Sequence, residues 1–169
     1  MKPTLYVFAG LPGTGKTTIS RRIAQALNAA YLRIDTIEQS LRDFCQISVY
    51  GEGYGTAYRI AKDNLSLGLS VVADSCNPIA LTRDEWESAA RQSTSGYMHI
   101  EIICSDLVEH RRRVEARKSS IAGLQSPTWA EIESWEYDGW DRPRLRLDTA
   151  GKSEDEAVAE LLKVIQNEN

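Results

Sequence analysis

Cysteine is scarce in this 169-residue chain: Cys45, Cys76 and Cys104 are the only three, about thirty residues apart, with no CxxC pair. An odd number without close spacing or a histidine cluster supports neither a disulfide framework nor a zinc site. Histidine is scarcer still, at two residues. Neither His99 nor His110 lies near Cys76 in sequence, so that thiol reads as a small buried filler rather than a nucleophile. No apolar run approaches the roughly 18 residues of a membrane span, and Pro12 and Gly13 break the apolar stretch at 5–11 too early for a signal segment. A cytoplasmic protein without a membrane partner is expected. An excess of positive charge is also missing, since 20 Lys+Arg against 24 Asp+Glu leave −4. That balance argues against an extended surface for nucleic-acid phosphates. With 42% hydrophobic and 26% charged residues, disorder, collagen and coiled coil are excluded, and the length suits one domain over 1–169.

Lysine is the rarer base: fourteen of the 20 basic residues are arginine. Arginine's planar fork suits bidentate recognition of phosphate or carboxylate better than a lysine point charge does.

Short apolar runs alternate with longer helical patterns, the arrangement of strand-helix-strand units around a parallel sheet. Strands are expected at 5–9, 30–34, 70–73, 98–104 and 144–147. Helices are expected at 17–27, 35–44, 56–67, 82–91, 106–118, from about 126, and at 154–165. Asp35 with Glu38, and Thr82 with Glu85, have the spacing of capping boxes. Three glycines at 51–55 read as a mobile loop, and Gly68 as a helix stop. In the acidic aromatic stretch 129–140, a helix packing its aromatics inward is the simplest reading. No repeat, low-complexity tract or linker divides the chain.

The segment Gly10-Leu11-Pro12-Gly13-Thr14-Gly15-Lys16-Thr17 fits G-x-x-x-x-G-K-[ST] at every fixed position. A strand precedes it and a helix follows, so backbone N–H groups and the helix N-terminus converge on an anion. Lys16 is placed to reach the β and γ phosphates and the Thr17 hydroxyl to ligate Mg²⁺, with Thr18 assisting from the helix. Binding of a nucleoside triphosphate follows from this motif.

Open parallel sheets bind ligands beyond their carboxyl edges, which places Asp35 and Asp74 in view. Asp35 is a candidate to accept a substrate hydroxyl proton, although the capping spacing also explains a carboxylate there. Asp74 closes the run Val71-Val72-Ala73, the general form of a segment that binds Mg²⁺; a turn role is the alternative. Asn77, next along, is placed to aim its amide at an acceptor. Arg111-Arg112-Arg113-Val114-Glu115-Ala116-Arg117 holds four of the fourteen arginines. Arg113 and Arg117 share a helix face. The run is either a solvated face or the cationic part of a lid that closes over transferring phosphate.

These motifs together make the chain resemble the P-loop kinases of the AAA_33 or zeta-toxin-like type, related in pattern to polynucleotide kinases, chloramphenicol phosphotransferases and gluconate kinases. The resemblance rests on GLPGTGKTT, Asp35, the ADSCNP segment at Asp74, and Arg113-Val-Glu-Ala-Arg117. It implies an α/β three-layer P-loop NTPase sandwich, a five-stranded parallel sheet of order 2-3-1-4-5 with an arginine-rich lid at about 106–128, and ATP with Mg²⁺ as cofactors. It further implies that residues 10–18, Arg113 and Arg144 contact the nucleotide, with Arg144 and the loop 148–151 beside the adenine. Thr17 and Asp74 would hold the metal, and Lys16, Asp35, Arg113 and Arg117 would carry the transfer. The chain departs from polynucleotide kinases at Glu38, where they carry an arginine three residues after the catalytic aspartate. Arg42 would substitute only with suitable packing.

The leading expectation is therefore an ATP-dependent kinase acting on the hydroxyl of a small molecule, with the aromatic surroundings of 51–55 (Tyr50, Tyr54 and Tyr58) forming part of the acceptor wall. Alternatives are a polynucleotide or RNA 5'-hydroxyl kinase, and a nucleotide-dependent switch without transfer. The absence of an N-K-x-D guanine signature and the internal arginine run count against the switch.

Overall fold

The computed structural model describes residues 2–168. Five parallel strands, β1 (Thr4–Ala9), β2 (Ala30–Arg33), β3 (Val71–Asp74), β4 (Gly96–Ile103) and β5 (Leu145–Asp148), form one sheet of order β2-β3-β1-β4-β5. The central strand β1 is covered on both faces, and residues 5–9 are all buried. Such a strand must be apolar throughout rather than alternating.

The pleat sends its side chains to two cores. Tyr6 and Phe8 pack with Ile19 and Ile23 of α1 (Lys16–Ala26) and with Leu161 and Ile165 of α7 (Glu154–Glu168). Leu5 and Val7 face the other way, against α3 (Glu52–Ser66) and α4 (Ala80–Gln92), where Ala57, Ala61 and the fully buried Trp86 meet the sheet. Helix, sheet and helix make the three layers. The remaining helices are α2 (Ile34–Cys45), α5 (Leu107–Ala116) and α6 (Trp129–Glu133).

Several expected boundaries change for physical reasons. α2 follows β2 without a loop, so the extended Arg33 occupies the N-cap position and no side chain caps the helix. Asp35 therefore lies inside the first turn, and Glu38 turns to Arg42 at 3.2 Å instead of closing a capping box. α3 starts at Glu52, which places Gly53 and Gly55 in a helix rather than a mobile loop. Close approach explains Gly53, where a Cβ would stand 2.2 Å from Glu38 Cγ. α4 begins before Thr82, whose hydroxyl donates back to the Ile79 carbonyl. A true capping box opens α6, from Thr128 and Glu131, with Pro127 one residue before the cap. That helix ends at Glu133, and the following aromatics lie in irregular chain, where Tyr137 and Trp140 flank the buried Arg83. Gly68, at φ +85°, ends α3 as expected.

Candidate active site

The C-terminal ends of all five strands lie along one edge of the sheet, and the glycine-rich turn between β1 and α1 occupies its middle. Gly10 has φ +131°, and a Cβ there would sit 2.1 Å from the Ile102 carbonyl oxygen. Gly13 has φ +85° and would drive a Cβ to 2.5 Å from Val114 Cγ2. Only glycine meets both conditions.

Three neighbouring segments hold the turn in place. The Gly10 N–H donates to the Cys76 carbonyl at 3.1 Å. The Pro12 carbonyl lies 2.8 Å from His110 Nε2 of α5, and the Thr14 carbonyl accepts from the Thr149 hydroxyl at 2.9 Å. His110 is itself buried, with its ring edge-on to Trp129 at 5.1 Å between centroids. Within the turn, the Thr14 hydroxyl and Lys16 Nζ both donate to the Leu11 carbonyl, at 2.9 and 3.1 Å. Lys16 is buried and so is held close to the loop it serves.

Two cavities open beside this turn. One, of about 560 Å³, is lined by the backbone turn with Lys16, Arg21, Arg33, Arg113 and Arg117. It is strongly cationic, with Glu154 as its one carboxylate. The other, of about 370 Å³, carries Asp35 and Asp74 with Cys76, and its outer wall includes Leu124, Pro127 and Trp135. Lys16, Thr17 and Arg117 line both. A third, smaller hollow joins Gly15, Thr18 and Arg113 to Thr149 and Lys152.

The acidic pair is set by strand register. Arg33 and Asp74 are direct partners on neighbouring strands β2 and β3. Asp74, 3% exposed, accepts from the Tyr31 hydroxyl at 2.6 Å, while Asp35 stands at the rim. Burial, reinforced by the Asp74 charge, pushes the Tyr31 phenol well above its ordinary range, so Tyr31 stays protonated and donates. Burial likewise raises the Cys76 thiol, against the pull of Lys16. A protonated thiol is a poor nucleophile.

Arg113 donates through Nη1 to the Thr149 hydroxyl at 2.8 Å and through Nη2 to Glu109 Oε1 at 2.6 Å. It is thereby fixed over the turn. Arg117, the extended residue that follows the end of α5 at Ala116, reaches both cavities. Arg144 is not brought to the site. It precedes β5, at the opposite end of that strand from Thr149, and donates to Glu101 at 2.7 Å with its guanidinium over Trp140. Asn77 is also taken, since its amide donates to the Phe8 carbonyl and accepts from Trp86 Nε1. Arg33, Tyr31 and His110 were not singled out from the sequence. Their signals are faint: Arg33 and Tyr31 sit in a strand that reads only as hydrophobic, and His110 immediately precedes the arginine run.

A family profile described as an AAA domain, AAA_33, matches residues 5–135. The chain belongs to the AAA_33 family. Curated protein sequences give no significant match. Among solved structures, the AAA_33 chain is similar to the Mycobacterium tuberculosis APS kinase CysC in complex with AMPPNP and APS, at 20% identity and a TM-score of 0.71, over 98% of each chain. It is similar to a gluconokinase from Sinorhizobium meliloti at 18% identity and a TM-score of 0.64, over 98% of this chain and 95% of that one. It is also similar to Chaetomium thermophilum Kti12 in complex with ADP-AlF3, at 22% identity and a TM-score of 0.70, over 96% and 97%. At these identities the likeness concerns the fold, and the expected strand order agrees with it. No helix among the described residues of this AAA_33 chain is long and apolar enough to cross a membrane.

Proposed function

We propose that the chain is an ATP- and Mg²⁺-dependent kinase that transfers the γ-phosphate to a hydroxyl of a small molecule. One observation carries this reading: a cationic cavity and a carboxylate-bearing cavity meet at Lys16, Thr17 and Arg117. A triphosphate in the first would present its terminal phosphorus to an acceptor in the second. Solved relatives of this fold that hold AMPPNP or ADP-AlF3 support the nucleotide assignment.

The donors beside Lys16 fit a hard divalent cation. Thr17 and Asp74 both line the same cavity and offer oxygen, and Mg²⁺ needs only one or two protein oxygens when phosphates and water complete its shell. When bound, the ion would neutralise phosphate charge and orient the oxygens for in-line displacement. The protein's own groups do the rest. Backbone N–H groups of residues 13–18 and Lys16 hold the phosphates, while Arg113 and Arg117 offset the charge that develops as the bond to the leaving oxygen breaks. Asp35 accepts the acceptor's hydroxyl proton. The hollow at Thr18, Arg113, Thr149 and Lys152 takes the base and ribose in place of Arg144. In this reading residues 1–169 form a single kinase domain, with 106–128 as its lid.

A nucleic-acid acceptor is disfavoured because the position three after Asp35 is Glu38, and Arg42 is engaged by it. To test the proposal, the protein is incubated with γ-labelled ATP, Mg²⁺, a library of small hydroxylated molecules and 5'-hydroxyl oligonucleotides. A labelled small molecule is expected. Label recovered only as free phosphate, or only on oligonucleotides, overturns the reading.

A further inference from the structure

Arg33 is 7% exposed, yet among the described residues its guanidinium forms just one close hydrogen bond, from Nη1 to the Ser120 hydroxyl at 2.9 Å. Its Nη2 stands 3.7 Å from Asp35 Oδ2 and its Nε 4.0 Å from Asp74 Oδ2. The Nε is buried without a hydrogen-bond partner among the described residues. A buried cation with unmet donors is costly unless opposite charge surrounds it. Here two carboxylates from two elements do so, and a third segment, beyond α5, closes the fork.

We propose that Arg33 is a positioning residue, which holds the carboxylates of Asp35 and Asp74 at a fixed separation and tethers the segment around Ser120 across them. The proposal rests on the kinase reading for its effect on turnover. Three observations carry it. Register places Arg33 beside Asp74 at the sheet edge, so the contact is built into the strand pairing. As the N-cap position of α2, Arg33 also sets the direction from which Asp35 leaves the sheet. Ser120 follows Arg117 and Lys118, so whatever fixes Ser120 fixes the chain that delivers Arg117 to both cavities. Arginine's five donors can serve these three partners at once; lysine retains the charge without the fork.

The test uses the full chain with the substitutions Arg33→Met, Arg33→Lys and Ser120→Ala. The readouts are thermal melting, affinity for a fluorescent ADP analogue with Mg²⁺, kcat and KM for label transfer from ATP, and hydrogen exchange of the amides at 117–126. For Arg33→Met, kcat should fall by about 10²-fold, as expected when reacting groups are displaced by about 1 Å. The KM for ATP should move far less, and exchange at 117–126 should quicken. Arg33→Lys should recover part of kcat but not the slow exchange. Ser120→Ala should quicken exchange with a smaller loss of kcat. Unchanged kcat and unchanged exchange in Arg33→Met overturn the proposal. So does a loss of nucleotide affinity that follows melting in both Arg33 variants, because that marks a purely structural residue. If the unsubstituted chain binds the nucleotide but transfers no label, the kinase reading fails by itself. Hydrogen exchange then still decides whether Arg33 holds the segment, and slow exchange retained in Arg33→Met counts against it.

Discussion

The hydroxyl of Thr149 lies 2.9 Å from the Thr14 carbonyl oxygen, joining positions 135 residues apart. The same hydroxyl accepts from Arg113. Thr149 therefore ties the end of β5 to the phosphate turn and orients an arginine above it. The hydroxyl also lies 3.0 Å from the Ile103 carbonyl oxygen, and Thr149→Val keeps the shape while removing all three contacts. The expected result is a loss of about 1 to 3 kcal/mol in urea unfolding, the range for leaving a buried polar group unpaired, together with weaker binding of a fluorescent ADP analogue.

Lys16→Ala and Asp35→Asn should separate binding from chemistry. The first should sharply weaken ATP binding. The second should leave ATP binding nearly intact and lower turnover by about 10²- to 10⁴-fold, the usual range for a general base. Because Asp35 caps no helix here, its loss of stability should come from the 3.7 Å pairing with the buried Arg33, which Asp74 still faces after the substitution. Titration calorimetry, label transfer and urea unfolding measure the three quantities.

The two glycines in the first part of α3 should respond oppositely to alanine. A Cβ at Gly55 would meet nothing within 4 Å, so Gly55→Ala should stabilise the protein by about 0.5 to 1 kcal/mol. Gly53→Ala would press on Glu38 and should destabilise by about 1 to 3 kcal/mol. Two melting curves settle the contrast.

His99 should give the fold an acid-sensitive limb. Burial holds its imidazole below the ordinary range, even though Glu87 Oε1 lies 2.9 Å away, and Arg142 and Arg83 add to the depression. The unfolded chain then takes up its proton first, near about pH 6.5. This contribution is intact above that pH and is lost as the pH falls toward the folded value. Glu87 is held below the usual carboxylate range by His99 and Arg142 despite burial, so its own contribution is lost only further into acid. Melting temperature should decline between pH 7 and 5.5, and His99→Gln should flatten that decline.

The features legible in the sequence were those that a local pattern specifies. The phosphate turn could be read because its glycines, Lys16 and Thr17 are consecutive, and β1 because a strand covered on both faces must be apolar throughout. Asp74 stands out as a candidate because it ends such a strand. What escaped depends on neighbours across the fold. Arg33 is chemically ordinary until β2 lies beside β3 and the segment after α5 comes down on it. Gly53 reads as loop until α2 packs on α3. Arg144 was carried toward the nucleotide by family likeness, whereas Glu101 and Trp140 keep it at the far end of β5.

The wall shared by the two cavities divides the molecule's inheritance. In the proposed kinase reading, nucleotide-facing groups would come from 10–18, from Arg113 and Arg117, and from the stretch after β5, while the outer acceptor wall would be drawn from 124–135. Under the proposed activity, exchanging that one short stretch with a relative's would retarget the enzyme to a new alcohol while its energy source stayed the same.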